Sequence, residues 1–383
     1  MIFMARIVVI DDAIQDNLLQ KPVIERYCLE DGLFCQSRVG LPPGVHNTHG
    51  TMVAKVLQTY AEECEIISVQ ILDNWFAQRK CSSDRLIAAL EFCGQLNVDA
   101  IHCSIGTERL SRIRKCGNLL EAFHRRDIPI IAAGSTAGYR TIPASCPGVF
   151  GVMSVEDDML PPGTFAFAKD LYLGTEWIAN YALSASESVR FPKSSSLAAP
   201  VVTAQINNLL NQQMKPSLPE LTKALKRCAW PAIGHERLVE RQYRTPAQIP
   251  IVYLVDSFAQ DEQEQSALLD VFALHGYEAF GITMRIKDIR DVRLLNCTDR
   301  QTQSLADIQA RAIASARMDL LIVFLTSSDV TYWQTEGNSN AIVLQAMQAA
   351  VGCITTPQEI YQRIVESIEN GYDPEKRKEH SNG

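Results

Sequence analysis

The sequence predicts an α/β fold in which a parallel sheet is covered by helices on both faces, followed by a second, smaller α/β domain. Short apolar runs rich in β-branched residues alternate with stretches of helical spacing, which is typical of parallel sheets. A chain of 383 residues is too long for one typical hydrophobic core and suits two domains. A polar, proline-bearing stretch from Trp230 to Pro250 separates two such regions, and we expect the domain junction there.

The first region contains five predicted strands and two clearly patterned helices. The predicted strands are Ile7 to Ile10, Glu65 to Leu72, Val98 to Ser104, Ile128 to Ala133 and Val149 to Val155. The helices are predicted at Gly50 to Tyr60 and Ser82 to Leu96, where apolar residues recur at helical spacing. A functional site is therefore expected where strands end and helices begin.

The second region predicts its own alternation of strands and helices. Strands are predicted at Ile251 to Val255, Glu278 to Met284 and Leu320 to Leu325, and helices at Glu262 to His275, Leu305 to Arg317, Asn340 to Ala350 and Pro357 to Asn370. We expect a first domain at 1–240, a linker at 241–250, the small domain at 251–370 and a flexible tail at 371–383. A loop at Thr335 to Asn340 is either an ordinary turn or a ligand-binding loop.

Charge and hydropathy exclude two classes of partner. The 36 basic and 44 acidic residues give a formal charge of −8, which opposes attraction to nucleic acid or anionic lipid. Apolar runs such as Leu320 to Leu325 are far shorter than the roughly 20 residues of a membrane span. We expect neither nucleic acid nor a membrane as a partner.

The cysteines favour a reducing compartment. There are eleven, an odd number, and they form no CxxC pair. The first residues also show no secretion signal, so a cytoplasmic location is expected. Cys103 could be a thiol nucleophile, but its apolar, strand-like surroundings favour a buried structural cysteine.

Three segments carry residues with hydrolytic chemistry. Asp11 ends the first predicted strand, His49 begins a helix, and a serine run at Ser194 to Ser196 precedes another. A serine hydroxyl becomes nucleophilic when an imidazole takes its proton and a buried carboxylate orients that imidazole. The chain order Asp, His, Ser is one of the few that builds this geometry. His46 and His49 could instead be metal ligands, although no further ligand cluster has suitable spacing.

Residues 1 to about 230 resemble the subtilisin-like serine peptidases, the subtilase family. The similar segments are Val9-Ile10-Asp11, His49-Gly50-Thr51, and Ser194-Ser195-Ser196-Leu197-Ala198-Ala199-Pro200, which stands where the family has Gly-Thr-Ser-Met-Ala-x-Pro. The resemblance implies a subtilisin-like sheet and a catalytic triad of Asp11, His49 and Ser196. It also places the family's closing helix at Pro216 to Arg227, whereas the C-terminal domain has no recognised relative.

The same resemblance implies how substrate would be held. Ser104, Ile105 and Gly106 correspond to the strand that pairs with an extended peptide, while Ala132, Ala133 and Gly134 correspond to a wall of the specificity pocket. Small residues at Gly50 and Gly134 would let substrate backbone approach closely. The Ile142-Pro143 bond is expected to be cis. The Ser196 backbone N–H would stabilise the oxyanion at a helix start.

Three positions depart from the family pattern. Ser135 stands in place of the asparagine that supplies the second oxyanion donor, and its hydroxyl reaches less far unless Thr136 or another donor compensates. Ser194 replaces a glycine and adds bulk near the scissile bond. Asp12 either raises the pKa of His49 or points to solvent, and the second interpretation is favoured.

The sequence therefore predicts a serine endopeptidase that acts through an acyl-enzyme on a particular intracellular peptide or precursor, as in peptide maturation. The alternative is a weak or inactive subtilase-like module that only binds peptides, because Ser135 and Ser194 alter the site. We expect no cofactor and no metal ion. A peptide or protein is the expected substrate, and the C-terminal domain is a candidate surface for a partner.

Overall fold

Two sheets, one in each half of the chain, organise the structure. The computed structural model describes residues 4–30, 32–37, 48–72, 82–212, 215–231, 249–256, 258–286, 289–297, 304–333, 342–345 and 356–371. The chain divides into two units, Met1–Gln242 and Tyr243–Gly383. Most of the predicted linker at 241–250, the loop at 335–340, His46 and nearly all of the predicted tail lie outside the described residues.

The first sheet is mainly parallel, as predicted. Its strands are β1 (Arg6–Asp11), β2 (Glu25–Glu30), β3 (Leu33–Gln36), β4 (Glu65–Gln70), β5 (Ala100–Cys103), β6 (Ile130–Ala133), β7 (Phe150–Ser154), β8 (Phe165–Asp170) and β9 (Thr175–Ala179). They lie in the order β3-β2-β4-β1-β5-β6-β7-β9-β8, with antiparallel pairing only within the β2–β3 and β8–β9 hairpins. The five strands that the sequence predicts are all present and adjoin one another through parallel pairs.

Helices cover both faces of this sheet, which confirms the predicted layers. They are α1 (His49–Tyr60), α2 (Ser83–Cys93), α3 (Ile113–His124), α4 (Ala185–Arg190), α5 (Ser195–Gln212) and α6 (Leu218–Cys228). Helices α1, α5 and α6 share one apolar core with alternate residues of the sheet, such as Ile7, Val9 and Trp177. The thiol of Cys103 lies instead on the opposite face, near Cys93 of α2 and Cys116 of α3.

The strand register brings the carboxyl ends of β1 and β5 together. Ile10 lies opposite Cys103, so that Asp11 and Ser104 follow at the same edge of the sheet. Parallel strands end at a common edge, and residues just beyond them become neighbours although they are far apart in sequence. The first candidate site residues are therefore positioned by the central pairing of the sheet.

The second sheet is entirely parallel within the described residues. Its strands are β10 (Ile251–Val255), β11 (Ala279–Thr283), β12 (Leu294–Asn296), β13 (Leu320–Leu325) and β14 (Ile342–Gln345), in the order β12-β11-β13-β10-β14. The helices are α7 (Glu262–Leu274), α8 (Leu305–Ser315), α9 (Ser327–Trp333) and α10 (Pro357–Gly371). The second unit therefore has a parallel sheet with helices, as the predicted alternation of strands and helices implies.

One predicted element of this unit is wrong. The helix predicted at Asn340 to Ala350 contains the strand β14, which pairs in parallel with β10. A short apolar run does not by itself distinguish a strand from a buried helix. Pairing along the open side of β10 decides the conformation of Ile342–Gln345.

A buried ion cluster ties β12 to α7 in the second unit. The Arg293 side chain is only 2% exposed and contacts Asp270 at 2.9 Å and Asp291 at 2.6 Å. Burial by itself raises the pKa of Asp291, but the hydrogen bonds and charge of Arg293 outweigh it and lower that pKa below its ordinary value. The positive charge of the Arg293 guanidinium thus balances the negative charges of Asp270 and Asp291, two carboxylates with little access to water.

Across the residues that the structure describes, no helix is both long and apolar enough to cross a membrane.

Candidate active site

Asp11 is the buried carboxylate of the candidate site. It ends β1 with no exposed surface, and its carboxylate lies 2.7 and 3.0 Å from Nδ1 of His49. The Asp12 backbone N–H donates to Oδ1 of Asp11 at 2.7 Å, and the Ser104 hydroxyl donates to Oδ2. The carboxylate therefore has donors on several sides, as a buried charge requires.

These donors decide the charge of Asp11. Burial alone raises its pKa, but attraction to His49 and hydrogen bonds from His49 and Ser104 lower the pKa below its ordinary value. Asp11 is therefore ionised near neutral pH and holds the Nδ1 proton of His49. That arrangement leaves Nε2 of the neutral imidazole unprotonated and able to accept a proton.

His49 is placed by the start of α1. Thr48 caps the helix by accepting from the N–H of Thr51, and the Asp12 carboxylate accepts from the N–H groups of His49 at 3.2 Å and Gly50 at 2.5 Å. Asp12 is buried, so the expectation that it points to solvent is wrong. Its negative charge lies instead at the positive end of the helix dipole.

Gly50 is required by this close approach of α1 to the end of β1. A Cβ at residue 50 would lie 2.6 Å from the Asp12 carbonyl oxygen, which is backbone and cannot move aside easily. A Cβ on Gly134 would overlap with the Met153 sulfur. Packing inside the domain therefore accounts for both glycines, whatever substrate approaches them.

Ser196 completes a continuous hydrogen-bonded chain. Its Oγ lies 2.8 Å from Nε2 of His49, and the side chain is half-buried, so that the hydroxyl is accessible. Ser196 is the second residue of α5, and within the described residues its backbone N–H meets no acceptor. The structure thus brings the three predicted residues Asp11, His49 and Ser196 together, with an open N–H beside the hydroxyl.

The neighbouring serines have different surroundings. Ser194 Oγ lies 3.0 Å from Ser196 Oγ, and the Ser194 N–H donates to the hydroxyl of Tyr181 at 3.0 Å. Ser195 is fully buried, and its Oγ accepts from the N–H of Ser154 at 3.2 Å. Of the three hydroxyls, that of Ser196 lies at hydrogen-bond distance from the imidazole, 2.8 Å, which agrees with the register chosen from the sequence.

The predicted substrate-binding segments lie at the carboxyl edge next to this chain. Ser104 follows β5 and is buried against Asp11, whereas Ile105 is half-buried and Gly106 is exposed. Ala132 and Ala133 end the neighbouring strand β6, and Gly134 donates its N–H to Val152 of β7 at 2.8 Å. The sequence-based prediction did not include the contact of the Ser104 side chain with Asp11, although the β1–β5 register signals it.

The hydroxyl of Ser135 has partners of its own. It donates to Glu108 Oε1 at 3.4 Å and accepts from the Ala137 N–H at 3.2 Å. The Ser135 carbonyl also accepts from the N–H of Gly138, so residues 135–138 form a tight turn. Ser135 therefore acts as a turn residue in this structure.

Two further predictions are resolved in this region. Cys103 is fully buried, and burial raises the pKa of its thiol well above the ordinary value, which confirms a structural cysteine. The Ile142-Pro143 peptide bond is cis, as expected. Among the described residues, no three His, Cys, Asp or Glu side chains are grouped so that they could hold a metal ion.

Several solved protease structures are similar to this chain. One is the prenylagaramide maturation protease PagA, with 20% identity and a TM-score of 0.44 over 60% of this chain and 84% of that one. Another is a mutant of the protease domain of PatA, with 17% identity and a TM-score of 0.47 over 60% of this chain and 89% of that one.

A third similarity is to a lanthipeptide protease, with 16% identity and a TM-score of 0.42 over 57% of this chain and 78% of that one. No protein-family model matches the sequence, and no curated protein sequence matches it. The assignment of a function therefore depends on the geometry of the site.

Proposed function

We propose that this protein is a serine endopeptidase whose catalytic residues are Asp11, His49 and Ser196. The observation that carries the proposal is the unbroken contact from the buried Asp11 carboxylate through both ring nitrogens of His49 to Ser196 Oγ, at 2.7 and 2.8 Å. This arrangement meets the geometric requirement for an activated serine nucleophile.

The proposed reaction follows from the positions of the protons. Ser196 Oγ attacks the peptide carbonyl carbon while its proton passes to Nε2 of His49, and Asp11 stabilises the imidazolium that results. The oxyanion accepts from the Ser196 N–H at the start of α5. Collapse of the tetrahedral species returns the proton to the leaving amine and leaves an acyl-enzyme, which water then hydrolyses.

The proposed substrate is a particular peptide or precursor inside the cell. The nine described cysteines are all free, which supports a reducing, cytoplasmic compartment. An endopeptidase acting there must be selective to spare other proteins. We assign a domain boundary between the two units and give the second unit the role of recognising the substrate or a partner.

A second candidate function, peptide binding without efficient hydrolysis, is favoured by one observation. The Ser135 hydroxyl is occupied by Glu108 and Ala137, so it is not free to supply a second oxyanion donor in this conformation. Loss of one such donor costs about 10²–10³ in turnover. The two functions therefore differ in the reactivity of Ser196 and share the same cleft.

Labelling with a fluorophosphonate separates these two functions. The full chain should form a covalent adduct that peptide mapping assigns to Ser196, and Ser196→Ala should not react. Ser194→Ala is the matched control, because it removes a neighbouring hydroxyl and leaves the contact of His49 with Ser196 in place. A folded chain that is not labelled, or a label that persists in Ser196→Ala, would rule out the peptidase.

A further inference from the structure

Thr136, in the 135–138 turn, contacts the start of α5 through its side chain. Its Oγ1 accepts from the backbone N–H of Ser195 at 3.4 Å, at the first residue of α5. Its side chain is exposed, and within the described part of the chain its hydroxyl proton has no acceptor. The hydroxyl is therefore held at the helix start with a proton that remains available.

The position of this hydroxyl relative to the oxyanion follows from helix geometry. Consecutive backbone nitrogens in a helix lie roughly 3 Å apart, and their N–H groups point in nearly the same direction. Thr136 Oγ1 accepts a hydrogen bond from the N–H of Ser195. The oxyanion of the proposed reaction would accept one from the N–H of Ser196. Two oxygens that accept from adjacent N–H groups are separated by about the same 3 Å, which is a hydrogen-bond distance.

The turn explains why the donor would come from residue 136. Ser135 uses its hydroxyl to close the turn and to contact Glu108, so both of its hydrogen-bonding roles are already taken. The carbonyl of Ser135 is also bound to the N–H of Gly138, where a φ of 80° suits glycine. The tight reversal brings the next side chain, Thr136, over the first residue of α5.

We infer that Thr136 is a catalytic residue whose hydroxyl donates the second hydrogen bond to the oxyanion, together with the Ser196 N–H. The inference rests on the proposed peptidase function and deepens it. In the resting enzyme Thr136 Oγ1 accepts from Ser195, and in the tetrahedral intermediate its O–H donates to the substrate oxygen. No bond to Thr136 forms or breaks, and its proton stays on the hydroxyl.

The test compares variants that keep or remove this donor. Hydrolysis of p-nitrophenyl acetate by the full chain gives kcat and KM, and the rate of inactivation by a fluorophosphonate provides a second measure of Ser196 reactivity. Thr136→Val keeps the shape and removes the hydroxyl. We expect kcat to fall about 10²–10³-fold with little change in KM, because the donor acts on the transition state.

Two controls make the outcome specific. Thr136→Ser retains a hydroxyl at the same Cβ and should keep kcat within about tenfold of the native value. Ser135→Ala removes the hydroxyl that contacts Glu108 and Ala137, but the Ser135 carbonyl still accepts from the N–H of Gly138 and keeps the turn, so kcat should fall less than about threefold. Circular dichroism should show the native fold in all three, because Thr136 is exposed and Ser135 is half-buried.

The possible failures are distinguishable. If the native chain reacts and Thr136→Val is as active, the inference is overturned while the peptidase proposal stands. A loss in Ser135→Ala as large as in Thr136→Val would show that kcat depends on the 135–138 turn as a whole and not on the Thr136 donor, which also overturns the inference. If the folded native chain reacts with neither probe, the proposed function itself fails.

Discussion

At the carboxyl edge of the first sheet, Asp11 and Ser104 belong to a chain of hydrogen bonds that ends on the accessible hydroxyl of Ser196. At the carboxyl edge of the second sheet, Asp256 accepts from the N–H and hydroxyl of Ser327, whereas Arg285 forms an ion pair with Asp329 at 2.6 Å.

The two edges thus have the same architecture but differ in the end point of their polar contacts. In the first unit the contacts lead from Asp11 through His49 to the accessible hydroxyl of Ser196, the proposed nucleophile. In the second unit the carboxylates of Asp256 and Asp329 bind nearby donors, Ser327 and Arg285. These contacts stabilise the loops after the strands and leave no activated group among these four residues. Parallel sheets provide an edge where polar residues meet, but the residues there decide whether it carries chemistry.

The largest expected effect tests this difference directly. Asp11→Asn should lower kcat for ester or peptide hydrolysis by about 10⁴-fold, because an amide does not hold His49 in the reactive tautomer. Asp256→Asn is the matched change at the second edge. Asparagine tolerates the positive φ of 61° at residue 256, and we expect activity within about twofold of native. Equal losses in both variants would contradict the comparison.

The buried ion cluster of the second unit should matter for stability and not for chemistry. Arg293→Met leaves Asp270 and Asp291 without their buried cation and should lower the free energy of unfolding of that unit by about 3–5 kcal/mol. Denaturant unfolding followed by hydrogen exchange assigns the transition to a unit.

Arg285→Met provides the control for Arg293→Met, since Arg285 is 44% exposed and its pair with Asp329 should contribute at most about 1 kcal/mol. The kcat of the first unit should remain native in both variants. An Arg293→Met chain as stable as Arg285→Met would show that the buried cluster adds nothing.

A buried histidine should make the first unit sensitive to acid. His102 lies in β5 with no exposed surface, its Nδ1 is 2.8 Å from Thr203 Oγ1, and burial lowers its pKa from 6.5 to about 4. The facing charges of Asp11 and His49 also act on it. Because the unfolded chain binds this proton more readily, stability falls as the pH drops from about 6.5 to 4, by about 3 kcal/mol.

The test is to measure the free energy of unfolding against pH for the variant His102→Asn. The asparagine keeps a polar group near Thr203 but does not titrate. We expect its slope between pH 4 and 6.5 to be flatter than in the native chain. Asp11 contributes at lower pH, because its pKa in the folded chain is lowered, and its share of the stability is lost as the pH falls from the ordinary carboxyl pKa of 3.8 through the lowered one. An unchanged slope in the variant would exclude His102 as the source.

The smallest expected effect compares two helix caps. Asp12 accepts from the N–H groups of His49 and Gly50, while the exposed Asp261 accepts from Gln263 and Glu264 at the start of α7. Replacing either by alanine should cost about 1 kcal/mol, with more lost at the buried Asp12. Only Asp12→Ala should also lower kcat, because Asp12 fixes the backbone of His49. Thermal unfolding and ester hydrolysis measure the two effects, and an equal loss of kcat in Asp261→Ala would contradict this role.

The sequence predicts best the parts of the fold that depend on long apolar runs. The central strands and their helices follow from such runs, and the register of the serine motif identifies Ser196. The β2–β3 hairpin was not predicted, because its strands are half-exposed and lack an apolar run. Strand β14 was predicted as a helix because its pairing with β10 is a long-range contact.

The details of the candidate site were harder to predict for a related reason. Asp12 caps a helix that begins 37 residues later, so no local pattern signals the contact. The roles of Ser135 and Thr136 depend on a tight turn, which decides which neighbouring side chain reaches α5. Residue type and order predict which groups meet, whereas turns and caps decide how each group is oriented.

The position of β1 in the middle of its sheet has a consequence for how the proposed activity would be lost on heating. Asp11 ends a strand with paired neighbours on both sides, and Ser104 belongs to the strand next to it. Amide protons in such a strand exchange mainly through global opening of the unit. Heat inactivation should therefore coincide with the loss of protection of the β1 amides, so that an assay of the accessible Ser196 hydroxyl reports the integrity of β1.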